Sequence, residues 1–352
     1  MKKVLFATSA LVLSAGFASA EVALSGDGRM GMIYDGNDVQ FASRARVLFT
    51  LTGESDAGLS FGGSFRVDQE DWNNGNRSAA RGERGAVWVS GTYGKLSMGD
   101  VASASEAAIG DLYEIGYTNG EFAGDLEEPW YLTGDGANRN QGPNILYEYT
   151  INNISLYASA TDGVDTTVGD LTTGANTWDD FDDPDTDALS DQVAYSLAAK
   201  YDAGNWWASL GYAKHDEASE IALGGEVKFN QFAVKGVYLS YDDYFGEIDT
   251  DGSIVRVTAP VAGDGELKYY AGISAAYTFD AVTVEGYISQ LKADFVGFDE
   301  SMKLRAIGIG ADYDLGGGAV LAGGIANVDL DLPGSAFDND ETVVDMGVKF
   351  SF

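Results

Sequence analysis

The sequence predicts an all-β chain, a 16-stranded antiparallel transmembrane β-barrel with one long loop folded inward. Three observations carry this. Runs of about 9–13 residues alternate apolar with polar or small side chains, the pattern of a strand with lipid on one face and water on the other. No helix long enough to span a bilayer is evident, because the one continuous apolar stretch, Val4–Phe17, falls short of the roughly 20 residues needed. Short connections take turns with long polar ones, as they do around the two rims of an up-and-down barrel.

In chain order, residues 1–20 predict a removable leader. Lys2 and Lys3 open it, the apolar stretch follows, and Ala18-Ser19-Ala20 supplies a small-residue cleavage site. Residues 21–352 then form one barrel domain. The first strand sets Leu24, Met30, Met32 and Tyr34 against Ser25, Asp27 and Arg29. The second sets Phe41, Ala45, Val47, Phe49 and Leu51 against Arg44, Arg46, Thr50 and Thr52. The third sets Leu59, Phe61, Phe65 and Val67 against Ser60, Ser64 and Arg66. Farther on, Val193–Tyr201 and Ile221–Phe229 keep the same rhythm. So does Leu267–Phe279, with Leu267, Tyr269, Ala271, Ile273, Ala275, Tyr277 and Phe279 on the lipid side. The last strand sets Val344, Met346, Val348, Phe350 and Phe352 against Asp345, Gly347, Lys349 and Ser351. Aromatics near strand ends, among them Tyr34, Phe49, Trp206, Trp207, Tyr238, Phe279, Tyr313 and Phe350, read as girdles at the membrane interfaces. Sixteen strands place both termini at one rim. That count assigns the strand-like segment Ser253–Pro260 to a long loop.

Composition narrows the partners. The chain of 352 residues carries 55 acidic and 21 basic residues, a net of −34. Loss of the leader removes two lysines and no acid, leaving 19 bases and −36. Such a chain seeks neither nucleic acid nor anionic headgroups. Its 45% apolar and 12% aromatic content argues against disorder, so the acids belong on loops. The absence of cysteine removes thiol catalysis and thiolate metal sites. The 46 glycines fall largely within strand-like runs, where they ease bending and close approach.

The longest connection, 101–142, carries the functional constellation. It holds the acids Glu106, Asp111, Glu114, Glu121, Asp125, Glu127, Glu128 and Asp135 against one base, Arg139. It also holds Leu112, Tyr113, Ile115, Tyr117, Phe122, Trp130, Tyr131 and Leu132, which need a surface to pack on. Folding inward against the barrel wall provides one. The bases Arg29, Arg44, Arg46, Arg66, Arg84 and Lys95 alternate onto the inner face of the first five strands. Lys349 joins them when the last strand meets the first. An acidic loop facing this basic wall across water predicts a constriction with a transverse field. Two unit charges about 8 Å apart interact by about 0.5 kcal/mol in water and about 2 kcal/mol at an effective dielectric of 20. Such a filter biases diffusion without stringent selection.

Several stretches resemble the Rhodobacter-type general porins, a family of Gram-negative outer-membrane channels. They are Glu21–Asp27, Ser43–Thr50, Gly99-Asp100, Ser105–Ala107, Gly110–Thr118, Tyr131–Asp135, Tyr313–Gly318 and the terminal Phe352. The resemblance covers the mature chain and departs from it at 119–128, 136–141 and 162–191. It implies a homotrimeric outer-membrane porin for ions and small hydrophilic solutes, in contact with outer-membrane lipid and lipopolysaccharide. It also implies calcium near the constriction loop, for which Glu106, Asp111, Glu114 and Asp135 are the candidates. Recognition of Phe352 by the barrel assembly machinery follows from it as well.

Other signals carry less. Gly26-Asp27-Gly28-Arg29-Met30-Gly31 spells a dinucleotide fingerprint but opens no helix. Asp183, Asp185 and Asp187 start a calcium-loop spacing, yet Ala188 and Ala194 stand where Gly and Glu are required. The acidic stretch 179–191 could still bind divalent cations loosely. His215, the only histidine, reads as a solvated loop residue with no serine context for hydrolysis. The alternative function is an outer-membrane adhesin or receptor that uses acidic loops and conducts little. A third, an enzyme barrel, would depend on His215.

Overall fold

In the computed structural model the described residues are 21–70, 85–133, 144–161, 193–248, 254–256, 261, 262, 264–332 and 339–352. Residues 1–20, the expected leader, lie outside them, as do Arg84, Asp135 and 162–192. Among the described residues no helix is long and apolar enough to cross a membrane. Crossing falls to strands.

The strands run β1 (Glu21–Tyr34), β2 (Val39–Glu54), β3 (Ser60–Glu70), β4 (Gly85–Gly91), β5 (Gly94–Gly99), β6 (Asn144–Ile151), β7 (Ile154–Thr161), β8 (Ala194–Asp202) and β9 (Trp206–His215). They continue as β10 (Ala218–Phe229), β11 (Phe232–Asp242), β12 (Phe245–Ile248), β13 (Ile254–Arg256), β14 (Gly265–Phe279), β15 (Val282–Phe295), β16 (Ser301–Gly316), β17 (Ala319–Asp331) and β18 (Asn339–Ser351). The strands β1–β11 and β14–β18 each pair antiparallel with the next in the wall, β11 pairing directly with β14, while β12 pairs with β13 and with the start of β14. The short strands β12 and β13 therefore form a hairpin rib on the loop between them, and the closed wall has sixteen strands. Of the segment Ser253–Pro260, the described part Ile254–Arg256 pairs with β12 and stands outside the wall, and the rest lies outside the described residues.

Closure joins β1 to β18, with Asp27 opposite Ser351 and Tyr34 opposite Val344. The terminal residue completes the seam. Gly26 N donates to Phe352 O at 2.7 Å, and Phe352 N donates to Gly26 O at 2.9 Å. At one rim the hairpins are tight. Asn152, Asn230 and Asp280 hold φ of +53°, +53° and +55°, the left-handed region that Asn and Asp tolerate better than most side chains.

The outer face is the apolar face. Leu24, Met30, Phe41, Val47, Phe61, Phe65, Leu197, Ile221, Ile273 and Met346 are all exposed there. Phe49 stacks on Phe65 with ring centroids 4.7 Å apart. The buried core lies elsewhere, between the inner wall and residues 101–133.

Two expected orientations are reversed. Leu267 is fully buried inside, because a β-bulge between Leu267 and Tyr269 shifts the side-chain alternation at the start of β14. Trp207 is no girdle residue. Trp206 takes the outer position, so the next residue turns inward, where Trp207 Nε1 donates to Glu226. His215 is likewise not solvated. It ends β9 opposite Ala194 and Ala218 and is buried.

Candidate functional site: the inward loop and its wall

The loop enters the barrel after β5 as a short helix, α1 (Ala104–Ile109). A capping box starts it. Ser103 Oγ accepts from Glu106 N, and Glu106 Oε2 accepts from Ser103 N, each at 3.3 Å. The buried face of Ala104, Ala108 and Ile109 rests on β7–β10. An extended stretch with a 3-10 turn at Glu121–Ala123 follows the wall toward β17 and β18.

Packing fixes this course. Leu112, Ile115, Tyr117, Phe122, Tyr131 and Leu132 are buried against Leu239, Tyr270, Tyr287, Ala306, Ala322 and Ala326 of the wall. Each such side chain contributes roughly 1.5–3 kcal/mol. The wall makes room by omitting side chains. A methyl group at Gly211, Gly224, Gly272, Gly308 or Gly347 would stand closer than 3.0 Å to Ser105, Ile109, Leu112, Ile115 and Tyr117 respectively. These glycines form a track across β9, β10, β14, β16 and β18 on which the loop lies.

Polar anchors accompany the track. Ser159 Oγ accepts from Ala104 N at 2.9 Å, Ser196 Oγ from Ser105 N at 3.0 Å, and Ser274 Oγ from Tyr113 N at 3.0 Å. Glu220 accepts from Leu132 N at 2.5 Å. Tyr241 and Tyr270 donate to the carbonyls of Trp130 and Leu126, at 2.5 and 3.0 Å. Asp345, wholly buried, accepts from Thr118 N at 2.9 Å, Thr118 Oγ1 at 2.8 Å and Gly324 N at 2.8 Å.

The charges are arranged more locally than a field across open water. Arg29 donates to Thr118 O at 2.7 Å and pairs with Glu121. Arg44 pairs with Glu121 at 2.7 Å and Asp27 at 3.5 Å. Both arginines are buried, so Glu121 is clamped onto the wall it was expected to oppose. The cause is length: an arginine on β1 or β2 reaches the loop where it passes the barrel seam. Lys349 pairs with Asp312 at 2.9 Å and donates to Asn119 Oδ1 at 3.1 Å. Arg46 and Arg66 are half-buried on β2 and β3. Lys95 stands at the short-turn rim, paired with Glu148 at 3.3 Å and away from the loop.

The loop acids divide into three roles. Glu106 serves the helix cap. Glu127 is buried against Gly120, and burial pushes its carboxyl up to about 9, so it is neutral at pH 7 and adds no charge to the lumen. Its neighbour Glu128 is half-buried. Glu114 is exposed to the lumen. Its carboxyl is pushed up to about 7, first by the low-dielectric surroundings and then by the charges of Asp111 and Asp125. Burial raises Asp111, and Lys235 opposes that shift. Among the described residues no three acids converge to hold a metal ion. Glu106, Asp111 and Glu114 do not gather into such a group, and Asp135, the fourth candidate for calcium, lies outside the described residues.

The serine, tyrosine and carboxylate anchors were not evident as a group in the sequence. Alternation puts Asp345 on the inner face, but only barrel closure brings it to Thr118. Glu220, between the small residues Ala218 and Ala222, carries the same inward signal.

With this geometry established, comparison with known proteins is informative. A family model described as Gram-negative porin matches residues 7–332. A porin of Rhodobacter capsulatus is 38% identical over 344 residues, covering 94% of this chain and 100% of the relative. A porin of Fuscovulum blasticum is 29% identical over 345 residues, with coverage of 94% and 100%. A porin structure refined at 1.8 Å superposes with a TM-score of 0.71 at 37% identity, covering 94% of this chain and all of that one. A variant of the Rh. blastica porin superposes at 0.59 with 25% identity and the same coverage.

Proposed function

Since this chain belongs to the Gram-negative porin family, we propose that the charges around its inward loop bias which solutes cross its lumen. The protein is a general diffusion porin of the outer membrane, passing ions and small hydrophilic solutes through a water-filled barrel. The bias goes beyond that family assignment. One observation supports it: the loop is seated inside the closed wall with Glu114 exposed to the lumen, while Arg29 and Arg44 hold Glu121 at the seam. Arg46 and Arg66 supply positive charge to the wall. Asp111, Glu114, Asp125 and Glu128 supply negative charge to the loop. The preference is mild, because lumen water screens each charge.

Single-channel recording tests this reading. The expected record is a persistent ohmic conductance whose reversal potential in a salt gradient shifts when wall or loop charges are neutralised. Folded protein without conductance would favour the receptor alternative. No turnover chemistry is required, so substitution of His215 leaves conduction intact. Family membership also supports a homotrimer in contact with lipopolysaccharide, which cross-linking in native outer membranes checks. The side chain of Phe352 is exposed at the outer seam, which supports its role as a signal to the barrel assembly machinery. Phe352→Ala should lower the assembled yield.

A further inference from the structure

A second group of bases lies inside the barrel, away from the Arg29–Arg44 clamp. Lys200 of β8 and Lys235 of β11 face the indole of Trp207 on β9, and Lys228 of β10 joins them through Glu226, which Trp207 also binds. Lys200 Nζ stands 3.9 Å from the ring centroid and Lys235 Nζ 5.5 Å. Glu226 is the only carboxylate in contact with the cluster among the described residues, and its oxygens are occupied. Oε2 accepts from Trp207 Nε1 at 2.7 Å and pairs with Lys228 at 3.2 Å, while Oε1 accepts from the Tyr113 hydroxyl.

Neither Lys200 nor Lys235 has a carboxylate oxygen within 4.0 Å among the described residues. That is unusual in a chain with 55 acids and 21 bases. Asp202 and Asp111 act on them only from farther away, and the ammonium groups repel one another. The indole face attracts an ammonium but carries no net charge to balance it.

The position matters for passage. Asp202, Trp207, Glu226, Lys235 and Ser274 lie opposite one another across β8, β9, β10, β11 and β14. Ser274 holds the loop at Tyr113, so the cluster borders the constriction. Lys200 and Lys228 lie near the turns that follow β8 and β10, which puts it on the short-turn side. A solute leaving the constriction on that side passes the lysines.

We propose that Lys200, Lys228 and Lys235, grouped by Trp207 and Glu226, form a subsite for the oxyanion group, carboxylate or phosphate, of a solute crossing the channel. The subsite rests on the porin reading and supplies the counter-charge that the cluster lacks. It requires no bond-making step; the solute binds, shields the lysines from one another and leaves.

The test uses the full-length porin in planar bilayers in KCl, with succinate, inorganic phosphate or uncharged glucose added on either side. Saturable reduction of the current by succinate, by phosphate or by both, without an equal effect of glucose, supports the subsite and identifies the oxyanion it takes. The double substitution Lys200→Gln with Lys235→Gln should raise the half-blocking concentration about tenfold, from the loss of two charges roughly 5 Å from the anion. Lys200→Arg with Lys235→Arg should retain the block. Lys235→Gln alone serves the same purpose if the double variant does not assemble. Block of the wild type by neither anion, or an unchanged block in the Gln variants, overturns the subsite while KCl conductance persists. Absence of KCl conductance would instead overturn the channel reading itself.

Discussion

Asp345→Ala isolates the anchoring of the loop from the charge of its tip. Three donors lose their acceptor: Thr118 N, Thr118 Oγ1 and Gly324 N. A buried donor left unpaired costs about 1–3 kcal/mol. The Thr118 hydroxyl can rotate to another acceptor, so the two amides dominate, and a cost of about 3 kcal/mol falls on the docked loop. The Arg29–Thr118 bond and the Glu121 clamp remain, as does the strand ladder of the barrel. The expected outcome is therefore local release of residues 116–123 within an intact barrel. At about 1.4 kcal/mol per tenfold, amide exchange at Thr118 should accelerate roughly a hundredfold, with conductance becoming noisier. Unchanged exchange at Thr118 and a quiet, wild-type conductance would show that Asp345 does not hold the loop.

Four further outcomes can be measured. Replacing Arg44 and Arg46 with Gln should shift ion preference toward cations, by about 0.5–1 kcal/mol per charge along the ion path, read as a reversal potential. Glu114 titrates near pH 7, so cation preference should weaken as pH falls from 8 to 6, and Glu114→Gln should remove that dependence. Glu127 bears on stability instead: its docked value of about 9 lies above the ordinary 4.5, so docking is strongest below pH 4.5 and weakens as pH rises through 9. Limited proteolysis of the loop across that range checks it, with Glu127→Gln expected to flatten the profile. Gly308→Ala should press against Ile115 and Tyr287 at a cost of about 1–3 kcal/mol, changing conductance with little change in ion preference.

Much of the fold was legible because a barrel strand states its two environments residue by residue. Met30, Phe41, Val47 and Phe65 face outward as alternation requires, and Arg29, Arg44 and Arg46 face inward. The inward course of the loop was legible from its unmatched apolar residues. What was not legible depends on three-dimensional closure. Alternation cannot foresee the bulge that turns Leu267 inward, nor that Trp207 rather than Trp206 takes the inner position. Neither can it tell that Glu127 is buried while Glu114 is exposed, because a loop has no fixed period. The Asp345–Thr118 bond spans 227 positions and exists only once β18 has met β1. The expected field between loop and wall likewise assumed distance, whereas Arg29 and Arg44 are long enough to reach Glu121 directly.

The bare floor beneath residues 105–117 makes the width of the passage a property of what the wall lacks. Neutral substitutions there, adding no charge, would move the constriction sideways like a shim under a rail. Two related channels could share every charge and still differ in the largest sugar they admit, and a designer could retune size exclusion while leaving the electrostatics alone.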